Sequence, residues 1–162
     1  MQYLFMALFV GGVVAADQLS KLWVVANIPL HTRVGAIDGL FHLTYTQNTG
    51  AAFSSFEGMR WLFILIFAVF AALIIWDFAK KKMPFSTFER WCIAAVFAGG
   101  LGNIIDRVRL GYVVDMIEVE FITFPVFNVA DCFITCGCIL LIIRLVFFNK
   151  AFWKDEKKNL EK

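Results

Sequence analysis

Four stretches of the chain stay apolar for about the 20 residues that a bilayer crossing requires. They cover residues 2–25, 60–79, 88–105 and 128–148, and each predicts a membrane-spanning helix. The second is nearly pure Leu, Ile, Phe, Ala and Trp. The first carries Asp17 and Lys21 in its second half, the third closes on Gly99, Gly100, Gly102 and Asn103, and the fourth is interrupted only by Thr, Gly and Arg144. The first run ends in Val14-Ala15-Ala16, as a cleaved leader would. It lacks a basic residue ahead of it and is followed by further spans, so it reads as a transmembrane helix.

The loops at residues 29–58 and 106–126 carry a different period. In Phe41-His42-Leu43-Thr44-Tyr45-Thr46 apolar and polar residues alternate, the pattern of a strand with one buried face. After Tyr112 the alternation returns, with Val113, Asp115, Ile117, Val119 and Phe121 on one face and Glu118 and Glu120 on the other. Pro125 then ends the strand and turns the chain into the fourth span. The expected architecture is a mainly α integral membrane protein, residues 1–162 forming one domain of four transmembrane helices with a small extracytoplasmic β element.

Composition supports this picture. Hydrophobic residues make up 60% of the chain and charged residues 17%, more apolar surface than one soluble core of 162 residues needs. The surplus must face lipid. A net charge of +2 without a basic patch argues against a nucleic-acid partner. Lysine and arginine are placed by topology: Lys80, Lys81, Lys82 and Arg90 lie between spans two and three, and Arg144, Lys150, Lys154, Lys157, Lys158 and Lys162 end the chain. Short cytoplasmic loops hold such an excess, so both termini are expected inside and the two long loops outside. Cys92, Cys132, Cys136 and Cys138 all fall in apolar stretches with no histidine nearby, and read as buried small hydrophobes, neither metal ligands nor a disulfide framework.

Ionisable groups at membrane depth are costly unless paired, hydrated or used. Asp17 and Lys21 stand four apart, acid before base, the favourable order for an intrahelical ion pair that braces a site. The glycines of the third span permit close approach of a helix or ligand. Asn103 and Arg107, four apart, share the face aimed where that span leaves the membrane, beside Asp106. Asn128 is a suitable N-cap for the fourth span, and Asp131, three residues on, fits a capping box. Asp115 occupies the apolar face of its strand, where its carboxyl would be desolvated. The short link from Asp115 to Asp131 can bring the two together. Two close carboxylates do not ionise together easily, so one keeps a proton while the other acts as a base, a division suited to peptide hydrolysis. A proton or ion pathway is the rival reading, and it predicts carboxylates spread through the depth of the bundle. A structural scaffold is a second rival, and it leaves Asp115 unexplained.

Five segments together carry a resemblance: Asp17-Gln18-Leu19-Ser20-Lys21, Asn48-Thr49-Gly50-Ala51-Ala52-Phe53, Gly102-Asn103-Ile104-Ile105-Asp106-Arg107, Val113-Val114-Asp115 and Phe127-Asn128-Val129-Ala130-Asp131. In this order, spread from the first span to the last, they resemble the bacterial lipoprotein signal peptidases, or signal peptidase II. The resemblance implies an aspartic endopeptidase that cuts diacylglyceryl-modified prolipoproteins just before the lipidated cysteine, at the outer leaflet of the bacterial inner membrane, with no metal or cofactor. It implies Asp115 and Asp131 as the catalytic pair, Asn48, Asn103, Arg107 and Asn128 as residues that hold and orient the substrate backbone and the pair, and Asp17, Lys21, Gly99 and Asp106 as supports. The partners are then the prolipoprotein and membrane lipid, with the chain acting as a monomer. Met116 and Cys132 depart mildly from the family's more frequent residues, and both changes bear only on packing beside the pair. Residues 48–58, with Phe53 and Phe56, are expected to form a lid at the interface.

Overall fold

Each of the four apolar runs is a helix, and both long loops contribute strands, in a computed structural model that describes residues 1–50, 55–80 and 83–149. In chain order the elements are α1 (Gln2–Asn27), β1 (Arg33–Ile37), β2 (Phe41–Asn48), α2 (Arg60–Lys80), α3 (Thr87–Arg109), β3 (Val113–Val119) and α4 (Val129–Phe147). All four helices are long and apolar enough to cross a membrane. Their outward faces leave Leu65, Val69, Leu73 and Ile75 on α2, and Ile139, Ile142 and Val146 on α4, uncovered by protein. Such apolar surface is tolerated only against lipid.

The third span runs a turn past its expected end at residue 105, to Arg109. Asp106 and Arg107 therefore stand on a helix and not in a loop. The turn is held by the Leu110 amide donating to the Asp106 carbonyl at 2.7 Å, and the helix stops at Gly111, whose φ of 86° suits glycine. At its other end Ser86 and Glu89 form a capping box, and Arg90 Nη1 meets Asp77 Oδ2 at 2.8 Å. Neither Asp77 nor Glu89 had a role in the sequence reading. Lys81, Lys82 and the lysines from residue 150 onward lie outside the described residues.

α3 is the central helix, in contact with α1, α2 and α4. Its glycines set those distances. A Cβ on Gly99 would stand 2.3 Å from the Ala130 carbonyl oxygen, and one on Gly102 would stand 2.5 Å from Asp17 Oδ2. α4 and α1 thus approach the α3 backbone more closely than any side chain permits. Gly100 faces the other way, toward the Phe67 ring of α2.

The strands form one antiparallel sheet in the order β1-β2-β3. β1 had no signal of its own, being short, with an exposed Val34 and Ile37. The single buried face expected for β3 needs correction. Val113, Val114, Asp115 and Met116 are all buried, because Val114 and Met116 pack on Val24 and Ile28 of α1 and on Tyr45, while Val113 and Asp115 face a cavity on the opposite side. The register between β2 and β3 is also irregular, pairing Leu43 with Ile117 but Thr46 with Asp115. One extra residue on β2 re-aims everything after it, and Asn48 ends up on the side of Asp115.

Gly99→Ala is expected to destabilise the detergent-solubilised protein by about 1–3 kcal/mol through overpacking against a backbone oxygen that cannot move alone. Gly11→Ala, whose added Cβ meets nothing within 4 Å, serves as control. Thermal midpoints lowered for the first variant and not the second are the expected result, and equal midpoints would remove the close-packing account.

Candidate active site

The N-terminus of α4 is the scaffold of the site. Asn128 caps it, its Oδ1 accepting from the Asp131 amide at 3.0 Å, while Asp131 Oδ2 accepts from the Asn128 amide at 3.1 Å. The capping box read from sequence is therefore present, yet it uses only one oxygen of Asp131. The other, Oδ1, accepts from Asn103 Nδ2 of α3 at 2.8 Å. A second carboxylate closes the helix end from α1, where Asp17 Oδ1 accepts from the Ala130 amide at 2.9 Å. Unsatisfied amides at a helix start favour acidic partners, so three acceptors gather there.

Asp115 arrives from β3. Its Oδ2 accepts from Asn48 Nδ2 at 2.9 Å and its Oδ1 from Asn128 Nδ2 at 2.7 Å. Asn128 thus donates to both carboxylates, to Asp131 from its backbone N–H and to Asp115 from its side-chain NH2. Its side chain also donates to Asn103 Oδ1 at 3.2 Å, which orients the amide whose NH2 holds Asp131. Behind this layer Lys21 Nζ reaches Asp17 Oδ2 at 2.8 Å, Asp106 Oδ2 at 2.9 Å and Asn103 Oδ1 at 3.0 Å. The intrahelical pair expected from the four-residue spacing is there, joined by a second carboxylate. Asp106 in turn accepts from the Val114 amide of β3 at 3.2 Å.

Asn48, Asn103, Arg107, Asp115 and Asp131 line one cavity of about 770 Å³, walled otherwise by apolar side chains of α2, α3, α4 and residues 124–127. Asn128, Asp17, Lys21, Asp106 and Gly99 stand behind that wall. Arg107 donates from Nη2 to the Gly50 carbonyl at 2.7 Å and lies over the Phe63 ring, 4.5 Å from its centroid. It ties the end of β2 to α2 and α3. Phe53 of the expected lid is outside the described residues; Phe56 is exposed and adopts a φ of 58°.

Burial pushes the Asp115 carboxyl from its usual 3.8 to about 6, and the nearby charge of Asp131 adds to that rise, against the pull of the Asn48 and Asn128 hydrogen bonds. Among the described residues no group of histidine, cysteine and acidic side chains could hold a metal ion.

Some residues here gave no usable sign in the sequence. Gln18 Nε2 bridges Asp106 Oδ1 at 2.9 Å and the Gly102 carbonyl at 3.2 Å, and a lone amide beside Asp17 in an apolar helix was its only hint. Phe63 offered none. The cysteines also need correction. Only Cys92 is buried; Cys132 is half-buried, Cys136 is exposed, and both line the cavity because their face of α4 is turned to it.

The raised value for Asp115 fixes the sign of a stability effect. The folded state holds the proton more tightly than the unfolded one, so the penalty for burying the charge, at most about 3 kcal/mol, is full above pH 6 and fades as pH falls through 6. Asp115→Asn removes that penalty while leaving one of its two amide donors without an acceptor. Its thermal midpoint relative to the parent is expected to be more favourable at pH 8 than at pH 5, and a difference independent of pH would contradict the desolvated carboxyl.

The model of the signal peptidase (SPase) II family matches residues 9–147. A lipoprotein signal peptidase of Streptococcus agalactiae serotype Ia is 43% identical over 143 residues, covering 88% of each chain. One of Streptococcus pyogenes serotype M5 is 41% identical over 143 residues, covering 88% of this chain and 89% of its own. A solved structure described as a bacterial membrane enzyme superposes with a TM-score of 0.84 at 32% identity, over 91% of this chain and 90% of that one. A match over residues 9–147, which hold all three strands and most or all of each helix, carried by sequence and by structure alike, shows that the chain belongs to the signal peptidase II family.

Proposed function

We propose that the chain is the aspartic endopeptidase that removes the signal peptide of diacylglyceryl-modified prolipoproteins, with Asp115 and Asp131 as its catalytic pair. The observation that carries this reading is the shared Asn128, which hydrogen-bonds both carboxylates where they line one cavity of mostly apolar walls. A lipid-bearing peptide bond needs both properties in one place: apolar walls for the signal segment and acyl chains, and a water-activating pair where the bond lies.

The chemistry follows from one proton shared by the pair. The ionised carboxylate takes a proton from water, and the hydroxide adds to the carbonyl carbon of the residue preceding the cysteine. The protonated partner gives its proton to the carbonyl oxygen. On collapse the C–N bond breaks, a proton passes to the leaving nitrogen, and the products are the signal peptide's carboxylic acid and a free amine on the lipidated cysteine. Asn48, Asn103 and Asn128 keep the carboxylates apart in fixed orientations. Arg107 and the Asn48 amide offer donors to the substrate backbone. Lys21, Asp17, Asp106 and Gly99 hold the helices that carry these groups.

The whole chain serves as a single peptidase domain, acting as a monomer in the bacterial inner membrane. Both termini and the lysine-rich loop are inside, and the pair faces the outer leaflet. A relay through the bundle is disfavoured along α3. Residues 91–105 of that helix contain no ionisable side chain except Cys92, a gap of roughly 24 Å along the helix between Arg90 at one end and Asp106 at the other.

Asp115→Asn and Asp131→Asn, assayed as purified proteins on a diacylglyceryl-modified prolipoprotein, are each expected to lose at least about 100-fold in kcat. Substantial cleavage by either removes the paired mechanism, and cleavage of an unlipidated substrate at the same rate removes the substrate assignment. Orientation is checked by labelling single cysteines placed in the loop between α2 and α3. Labelling from outside intact cells would put the pair in the wrong compartment.

A further inference from the structure

A second cavity, of about 360 Å³, meets the first at Asp115. Asn48, Asp115 and residues 124–126 line both, so the turn through Phe124 and Pro125 stands as a partition between them. Their walls differ. The first is apolar around its asparagines and aspartates, whereas the second is walled by Thr46, Gln47, Thr49, Glu57 and Thr123. Glu57 and Asp115 are the ionisable groups among its described lining residues, and Glu57 takes the Thr49 hydroxyl on Oε1 at 3.0 Å.

A substrate lying across the pair has two unlike ends. The signal segment and the acyl chains are apolar and belong in the first cavity. The residues after the lipidated cysteine are polar and must leave toward water. From the two cavities joined at Asp115 we infer that the hydroxyl-lined one receives the first two residues after the lipidated cysteine, and that Glu57 selects there for cationic over acidic side chains. This rests on the proposed peptidase function and adds a specificity to it. Glu57 is exposed, so its effect on a passing charge is modest, of the size of a surface ion pair.

The test uses the full-length protein and three diacylglyceryl-modified peptides that differ only by Lys, Gln or Glu at the second residue after the cysteine. The parent is expected to favour Lys over Glu about two- to fivefold in kcat/KM, mainly through KM and more strongly at low salt. Glu57→Gln should bring the ratio toward one, and Glu57→Lys should invert it. Thr123→Asp, at another residue that lines the same cavity, should widen the parent's preference. A parent ratio of one, or a ratio that survives Glu57→Gln, overturns the inference while leaving the peptidase function standing. Failure to cleave all three peptides overturns the function itself and the inference with it.

Discussion

The buried ammonium of Lys21 is the interaction on which the other polar groups of this fold depend. It sits among three oxygens from two helices, those of Asp17 on its own helix and of Asp106 and Asn103 on α3. In a water-free setting a charge without partners is costly, and so is each carboxylate that faces it. Each acceptor then spends its remaining capacity elsewhere. Asp17 holds the Ala130 amide in the first turn of α4, Asp106 holds the backbone of β3, and Asn103, its oxygen claimed by Lys21, turns its NH2 to Asp131. One cation thereby ties α1, α3, α4 and β3 into a single arrangement.

Close packing makes that arrangement possible. Gly102 lets Asp17 lie against the α3 backbone, and Gly99 does the same for the start of α4. With α1 and α4 drawn in on two sides, α2 leans on α3 alone among the other helices in any extent, and the space between α2 and the α3–α4 pair becomes the main cavity. The aspartates lie at its head because α4 begins and β3 crosses there.

The site joins two solvents. Apolar walls among the helices and a hydroxyl-lined chamber beside the loops meet at one desolvated carboxyl, which the Asn48 and Asn128 amides hold in place. The sheet is what allows this. The first half of β3 is buried, with Val114 and Met116 packed on α1, so Asp115 between them is fixed in position while its side chain reaches the cavity.

Much of this was legible in the chain itself. The length and purity of the apolar runs predict four helices because a bilayer leaves unpaired backbone no alternative. The four-residue spacing of Asp17 and Lys21 and the three-residue spacing of Asn128 and Asp131 dictate their contacts, since both are local properties of a helix. Asp115 stood out because a carboxylate on an apolar strand face needs a reason. Tertiary structure alone decided the rest. The extra residue that turns Asn48 toward Asp115, the second carboxylate on Lys21, and the walls of Phe63 and residues 124–127 all depend on contacts between segments far apart in the chain. No local spacing records them, because their energies belong to pairs that exist only after the helices have packed.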